Sequence, residues 1–143
     1  MAKPYIIALE EHYHDRDILA VAQYEGRFNP ELVKRLDDLG ELRLKEMDAA
    51  GIDYQILSLG APATQRIAPE SALQITRGVN DRLAATVKAN PKRFGAFGSL
   101  PTTTDAKLAA DELERCVTKL GFVGAMIHGL SNGVFLDDKR SLS

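Results

Sequence analysis

The residues best suited to chemistry lie close together near the start of the chain. Glu10, His12 and His14 follow an apolar run, residues 5–9, at intervals of two. In an extended strand this interval places side chains on the same side. A carboxylate oxygen and an imidazole nitrogen can both bind a divalent cation, and the mixture suits Zn²⁺ or Mn²⁺ better than Mg²⁺ or Ca²⁺. Spacing alone leaves open whether Glu10 or His14 is the partner of His12, or whether all three are solvated loop residues.

The apolar run itself predicts a buried strand that ends where these residues begin. In a β/α barrel, Ile7 and Leu9 would face the helices, whereas Ala8, Glu10 and His12 would face the barrel axis. That end of the strand is the end at which such barrels carry their active sites. Glu11 has the opposite parity, so we interpret it as a surface charge or as a group that supports a ligand.

Four apolar runs alternate with amphipathic segments along the chain. The predicted strands are residues 5–9, 52–59, 94–100 and 122–127. Helical segments are predicted from Pro30 to Gly51 with a break at Gly40, from Pro69 to Asn90, and from Thr104 or Asp105 to Gly121. This β-α-β-α-β-α-β order predicts parallel strands joined by crossover helices. No P-loop and no G-x-G-x-x-G motif follows a strand, which disfavours a nucleotide-binding domain.

The buried faces of the later helices follow from their apolar spacing. On the helix from residue 69 we expect Ala72, Leu73, Thr76, Val79, Leu83 and Val87 to face inward. On the helix that ends at Gly121 we expect the inward residues to be Leu108, Ala109, Leu113, Cys116, Val117 and Leu120. Cys116 is therefore predicted to be a buried structural thiol.

Further candidates for a binding site lie at the same ends of the strands. His128 directly follows the fourth strand, and Ser58 and Ala61 lie at the end of the second. These three are candidates to contact a substrate. His128 could instead simply lie in a loop, and a tight turn with a satisfied hydroxyl explains Ser58 and Ala61 at least as well. Tyr24 and Phe28 lie in a long polar segment after the first strand, which is a candidate lid over an aromatic substrate or a loop anchored by its aromatic residues.

Composition excludes several classes of protein. The chain has 143 residues, 18 Lys and Arg against 20 Asp and Glu, and a formal net charge of -2. This balance gives no general attraction to nucleic acid or anionic lipid. We find no apolar run of about 18 residues and no signal peptide, so no membrane span is expected. A single cysteine among 143 residues fits a cytoplasmic protein.

Several motifs in order resemble one known family. They are ALEEH at 8–12, LKEMDAAGID at 44–53, ILSLGAP at 56–62, VND at 79–81, NPKRFGAFGSLP at 90–101 and ELERCVTKLGFVGAMIHG at 112–129. Together they resemble the N-terminal half of the amidohydrolase-related metal enzymes. Within that group the sequence is most similar to the γ-resorcylate and 2,3-dihydroxybenzoate decarboxylases.

The resemblance implies a fold, a cofactor and an activity. The fold would be the N-terminal half of a (β/α)₈ TIM barrel, with residues 1–143 as one partial domain. The cofactor would be one Zn²⁺ or Mn²⁺ ion, with Glu10 and His12 as the ligands from the first strand. The activity would be non-oxidative decarboxylation of a small aromatic carboxylic acid. The remaining ligands of the family and its second catalytic His would lie beyond Ser143, so metal binding by this chain alone is expected to be weak or absent.

Two alternatives stay open. First-strand ligands do not set the reaction, so a metal-dependent hydrolase of the same superfamily is also compatible with these residues. The chain could also be a truncated, non-catalytic half-barrel. In either case four parallel strands with open edges should associate, so we expect a homo-oligomer.

Overall fold

The computed structural model describes residues 3–22 and 29–139. Its centre is a four-stranded parallel sheet in the order β1-β2-β3-β4. The strands are β1 (Ile7–Tyr13), β2 (Tyr54–Leu59), β3 (Phe94–Gly98) and β4 (Gly124–Ala125). Sequential strands are therefore neighbours, which confirms the predicted series of parallel β/α units.

Helices connect the strands. They are α1 (Arg16–Ala22), α2 (Pro30–Asp37), α3 (Glu41–Ala50), α4 (Pro69–Ala89) and α5 (Ala106–Thr118). None of the helices in the described parts of the chain has the length and hydropathy of a membrane span.

Local signals in the sequence fix several helix ends. The side chain of Asn29 accepts a hydrogen bond from the backbone N–H of Glu31, and Pro30 begins α2. Asp105, one of two predicted caps, accepts from the N–H of Leu108 at the start of α5. Gly51 ends α3 with φ 72°, a left-handed conformation that costs glycine little.

The hydrophobic core lies between the sheet and the helices. Leu57, Leu59, Phe94 and Ala96 supply the sheet side, and Met47, Val79, Leu83 and Cys116 supply the helix side. The predicted face of α4 is largely confirmed, since Ala72, Thr76, Val79 and Leu83 are all buried. Cys116 is also buried as predicted, and burial raises the pKa of its thiol to about 12.

The register of β1 against β2 changes within the strand. Ile7 and Ala8 pair with Tyr54 and Gln55, but Glu11 and His12 pair with Leu57 and Ser58. Three residues of β1 thus span two residues of β2, which is a β-bulge at residues 9–10. The prediction that Ala8 shares a side with His12 is wrong, because the extra residue reverses the alternation and places Ala8 on the helix side.

The same register corrects the prediction for Ile7. It pairs with Tyr54, on the side of the sheet that lies away from the core, and is 55% exposed; Leu9 in the bulge is 60% exposed. The first strand is therefore not the buried strand that its apolar run predicted. It is an outer strand of the sheet and pairs only with β2 among the described strands. We call the side of the sheet that carries Ile7, Tyr54, Ile56, Ser58 and His12 the far side.

Packing on the far side depends on a glycine in β3. A Cβ at Gly95 would lie 2.9 Å from both Ile56 Cδ1 and Tyr54 Oη. The missing side chain lets Tyr54 lie across β3, where its hydroxyl donates to the Phe94 carbonyl at 2.9 Å. Ile56 consequently becomes buried although it does not face the helices.

Two further predictions need correction. Residues 16–22 form α1 within the segment predicted as a polar lid, and Ile18 enters the core. On α5, Leu113 and Val117 are exposed, whereas Glu112 is fully buried. The helix is rotated from the predicted face because Arg77 and Asn80 of α4, together with Arg115 of α5 itself, provide partners for the buried carboxylate.

Glu112 joins α4, α5 and the end of β3. Its carboxylate accepts hydrogen bonds from Arg77, Arg115 and Asn80. The Asn80 amide also donates to the Ser99 carbonyl and accepts from the Ser99 N–H, each at 2.9 Å. Burial acts to raise the pKa of Glu112, but the hydrogen bonds lower it by more than burial raises it. The pKa therefore lies below its ordinary value.

We expect Glu112→Gln to destabilise the fold by about 2 kcal/mol at pH 7, because hydrogen bonds to a charged carboxylate are lost. A depressed pKa contributes stability that is present above the unfolded-state value of about 4.3 and is lost as pH falls through the folded-state pKa. Urea unfolding at pH 7, 5 and 3 should thus show a smaller acid-induced loss in the variant. Glu114→Gln, on the exposed surface of the same helix, is the control. Equal pH dependence in all three proteins would contradict this account.

Candidate metal and substrate site

His12 lies near the C-terminal end of β1, on the far side of the sheet. It pairs in register with Ser58, and its Nδ1 is 3.1 Å from the Ser58 hydroxyl oxygen. Ser58 is fully buried, so this contact holds the imidazole ring in one orientation. Because Nδ1 is occupied, Nε2 is the ring nitrogen that can bind another group.

The backbone of His12 is fixed from the helix side by Arg43 of α3. The guanidinium donates to the His12 carbonyl at 2.8 Å and to the carbonyls of Arg35 and Asp38 at 3.3 and 3.0 Å. Burial lowers the pKa of Arg43, while the carboxylates of nearby acidic residues act to raise it. Arg43 therefore ties the end of β1 to the end of α2.

Glu10 occupies the bulge. Its φ of 57° is left-handed, which costs a residue with a Cβ on the order of 1–2 kcal/mol. Its side chain is exposed, and within residues 3–22 and 29–139 its carboxylate has no hydrogen-bond or ion-pair partner. A strained backbone that presents an exposed carboxylate two residues before His12 is compatible with a ligand role.

Glu11 has a supporting position. Its carboxylate accepts a hydrogen bond from the Gln55 amide at 2.9 Å, and the Gln55 oxygen in turn accepts from Arg43 at 3.3 Å. This series of hydrogen bonds lies on the helix side of the sheet, opposite the imidazole of His12. Of the two roles predicted for Glu11, the structure therefore favours support of the strand that carries the candidate ligands.

His14 is directed towards α2. Its Nδ1 is 3.1 Å from a carboxylate oxygen of Asp37, and its backbone N–H donates to the Leu36 carbonyl at 2.9 Å. These contacts connect the end of β1 to the end of α2. The Asp37 contact occupies Nδ1 of the His14 ring, as the Ser58 contact does for His12, so the pairing of His12 with Glu10 or with His14 stays a prediction.

His128 lies beside His12, although β1 and β4 are the two outer strands of the sheet. The two imidazole rings are 5.6 Å apart between centroids and inclined at 62°. Nε2 of His128 donates to the Leu59 carbonyl at 2.8 Å. Two imidazoles are thus brought to one edge of the sheet.

The remaining predicted site residues have different positions. Ser58 is fully buried and touches His12, whereas Ala61 is exposed in the turn after β2 and precedes a cis peptide bond to Pro62. Tyr24 and Phe28 lie outside the described residues. Within the described ranges, no group of three or more His, Cys, Asp or Glu side chains is arranged to hold a metal ion.

The family to which the chain belongs follows from a match to a family sequence profile. The profile described as "Amidohydrolase" matches residues 12–142. The chain belongs to the amidohydrolase family. The matched range includes His12, Ser58 and His128, and the resemblance inferred from the sequence motifs is confirmed.

The curated relatives are decarboxylases. The chain is 45% identical over 134 residues to γ-resorcylate decarboxylase of Rhodococcus jostii, an alignment that covers 92% of this chain and 40% of the relative. The chain therefore spans about two fifths of the length of the curated relatives it matches.

Solved structures confirm that the sheet corresponds to part of a TIM-barrel amidohydrolase. The 2,6-dihydroxybenzoate decarboxylase from Rhizobium superimposes with a TM-score of 0.86 at 40% identity, over 97% of this chain and 45% of that chain. The dihydroxybenzoic acid decarboxylase from Polaromonas, with bound manganese and the inhibitor 2-nitroresorcinol, superimposes with a TM-score of 0.82 at 45% identity. This alignment covers 90% of this chain and 40% of that chain. Four parallel strands with their helices are thus a half-barrel.

Sequence reasoning missed two residues that shape the site, Arg43 and Gln65. Arg43 is one of several charged residues on an amphipathic helix, and nothing in its spacing distinguishes it from a surface residue. Gln65 lies in a turn after β2 and contacts residues more than 60 positions later in the chain. Such contacts between distant segments have no local signal.

Proposed function

We propose that the chain is the N-terminal part of a metal-dependent, non-oxidative decarboxylase of hydroxybenzoate-type acids. The 45% identity to γ-resorcylate decarboxylase over 92% of the chain carries this proposal. The geometry supports it, because His12, Ser58 and His128 meet at the C-terminal edge of the sheet, where TIM barrels carry their active sites.

Glu10 and His12 are the proposed ligands for Mn²⁺ or Zn²⁺. The donor set fits such an ion in type, because it combines an exposed carboxylate with an imidazole whose Nε2 has no partner among the described residues. When bound, the ion would supply a Lewis acid for a phenolic oxygen next to the substrate carboxylate. Two ligands are fewer than the three that a catalytic zinc site normally takes from protein, so others must come from outside the described residues.

The substrate would be a small aromatic carboxylic acid. Loss of CO₂ directly from an arene leaves an aryl carbanion, so a proton must reach the ring carbon before the bond breaks. Within this chain, Ser58 would orient the ring of His12, and His128 and Ala61 would line the substrate side of the rim. Tyr24 remains a proposed contact from the segment before α2.

A metal titration tests the ligand assignment on this chain alone. Mn²⁺ added to chain labelled with ¹⁵N-histidine should broaden the ring signals of His12 by paramagnetic relaxation, and those of His14 much less. Glu10→Gln should require more Mn²⁺ for the same broadening, and Ser58→Ala about 10-fold more, because loss of a group that orients a ligand weakens metal binding.

Ser71→Ala is the matched control for Ser58, since Ser71 lies at the start of α4 and its hydroxyl donates to the Ala68 carbonyl of the same turn. Stronger broadening of His14 than of His12 would instead favour the second ligand pair, His12 with His14.

A chimera tests the activity. In the 2,6-dihydroxybenzoate decarboxylase from Rhizobium, we would replace the N-terminal part that aligns with this chain by the chain itself. The chimera should release CO₂ from 2,6-dihydroxybenzoate in the presence of Mn²⁺. His12→Ala should abolish turnover, because it removes a proposed ligand, whereas His14→Ala should retain it. A folded chimera that binds Mn²⁺ but does not decarboxylate 2,6-dihydroxybenzoate would contradict the proposed function.

We also propose that the isolated chain associates with itself. Ile7 and Leu9 on edge strand β1 and Val123 before β4 are exposed, by 55%, 60% and 62%. Unpaired edges with apolar side chains favour association. Light scattering at micromolar concentration should show species larger than the 15.7 kDa monomer. Leu9→Lys should lower the fraction of these species, whereas the control Leu32→Lys, at an exposed position on α2, should not. A stable monomer would contradict this expectation.

A further inference from the structure

Gln65 is a buried residue in the segment between β2 and α4, and only 4% of it is exposed. Its amide group reaches the segment that follows β4. Oε1 accepts a hydrogen bond from the backbone N–H of His128. Nε2 lies 3.1 Å from the hydroxyl oxygen of Ser131, 3.3 Å from the Leu130 carbonyl and 3.5 Å from the His128 carbonyl. One side chain therefore contacts both ends of residue 128 and the turn beyond it.

The imidazole of His128 is fixed at a second point. A carbonyl oxygen can only accept a hydrogen bond, so the contact with Leu59 requires a proton on Nε2. In the neutral ring, Nδ1 is then the acceptor. Gln65 holds the backbone of His128 and Leu59 holds its ring; Leu59 ends β2, and Gln65 lies in the connection that follows it.

The surrounding loops are tied together by other buried hydroxyl groups. Thr64 donates to the Leu100 carbonyl at 2.7 Å, and Thr103 donates to the Ile67 carbonyl at 2.8 Å. These contacts stabilise the loops but do not touch His128. Gln65 differs from them because its hydrogen bonds include the peptide groups of a residue whose ring lies beside His12.

We propose that Gln65 is a positioning residue that holds His128 beside His12 with Nδ1 as a hydrogen-bond acceptor. On the proposed function, on which this last step rests, the acceptor would take a ring hydroxyl of the aromatic acid. Gln65 would then influence substrate preference without touching the substrate.

The first test uses the chain as it is, without metal or substrate. In ¹⁵N-histidine-labelled chain, the His128 ring should show the single tautomer protonated at Nε2, and its backbone N–H should exchange at least about tenfold more slowly than that of exposed Gly133. In Gln65→Leu, the His128 ring should become a mixture of tautomers, and the proton–proton contact between the rings of His12 and His128 should weaken.

Thr64→Val is the matched control, because it removes a buried hydrogen bond one residue away without touching His128. It should lower stability but leave the tautomer and the ring contact unchanged. If the His128 tautomer and the ring contact were unchanged in Gln65→Leu, the proposal would be overturned. If Gln65→Leu does not fold, the exchange rate in the parent chain still decides, since rapid exchange of the His128 N–H excludes the hydrogen bond to Gln65.

A second test asks about the substrate in the chimera described above. Gln65→Leu should raise KM for 2,6-dihydroxybenzoate several-fold with a smaller change in kcat, and Thr64→Val should change neither beyond twofold. An unchanged KM would overturn the role in substrate preference. A folded chimera that binds Mn²⁺ but is inactive would contradict the proposed function, whereas the spectroscopic test of His128 would still stand on its own.

Discussion

The single extra residue in β1 controls what the first strand presents on each side of the sheet. With strict alternation along residues 7–13, Ala8 and His12 would share a side. The bulge at residues 9–10 breaks the alternation, so Ala8 lies on the helix side and His12 lies opposite Ser58 on the far side. Glu11 and Tyr13 then turn towards the helices, where Glu11 contacts Gln55 and Tyr13 joins the core. A bulge that directs a side chain is a common feature next to functional sites.

The irregular strand needs support from both sides, and polar side chains provide it. Arg43 binds the carbonyl of His12 from the helix layer, and Ser58 holds the ring from the neighbouring strand. The cost of burying a guanidinium is offset only where its hydrogen bonds are made, and Arg43 makes them to three carbonyls and to Gln55. The buried polar groups near β1 thus fix the position of a residue at the far side, in addition to their effect on stability.

Much of the fold could be predicted from the sequence because its signals are local. Proline and asparagine at 29–30, glycine at 51 and the apolar spacing of α4 each depend on neighbours within one or two turns, and the structure confirms them. The errors concern relations between segments. The exposure of Ile7 depends on the place of β1 at the sheet edge, and the burial of Glu112 depends on Arg77 and Asn80 from another helix.

The candidate site divides in the same way. The types and spacing of Glu10 and His12 suggested a metal pair, and the motifs around them indicated the family, because both are properties of a short stretch of chain. Gln65 carried no such signal, since its partners lie at 128–131 and become neighbours only when β2 and β4 reach the same edge. In parallel β/α folds the residues that touch a ligand lie at strand ends and can be read from sequence. The residues that orient them come from adjacent connections, so identifying them requires the three-dimensional arrangement.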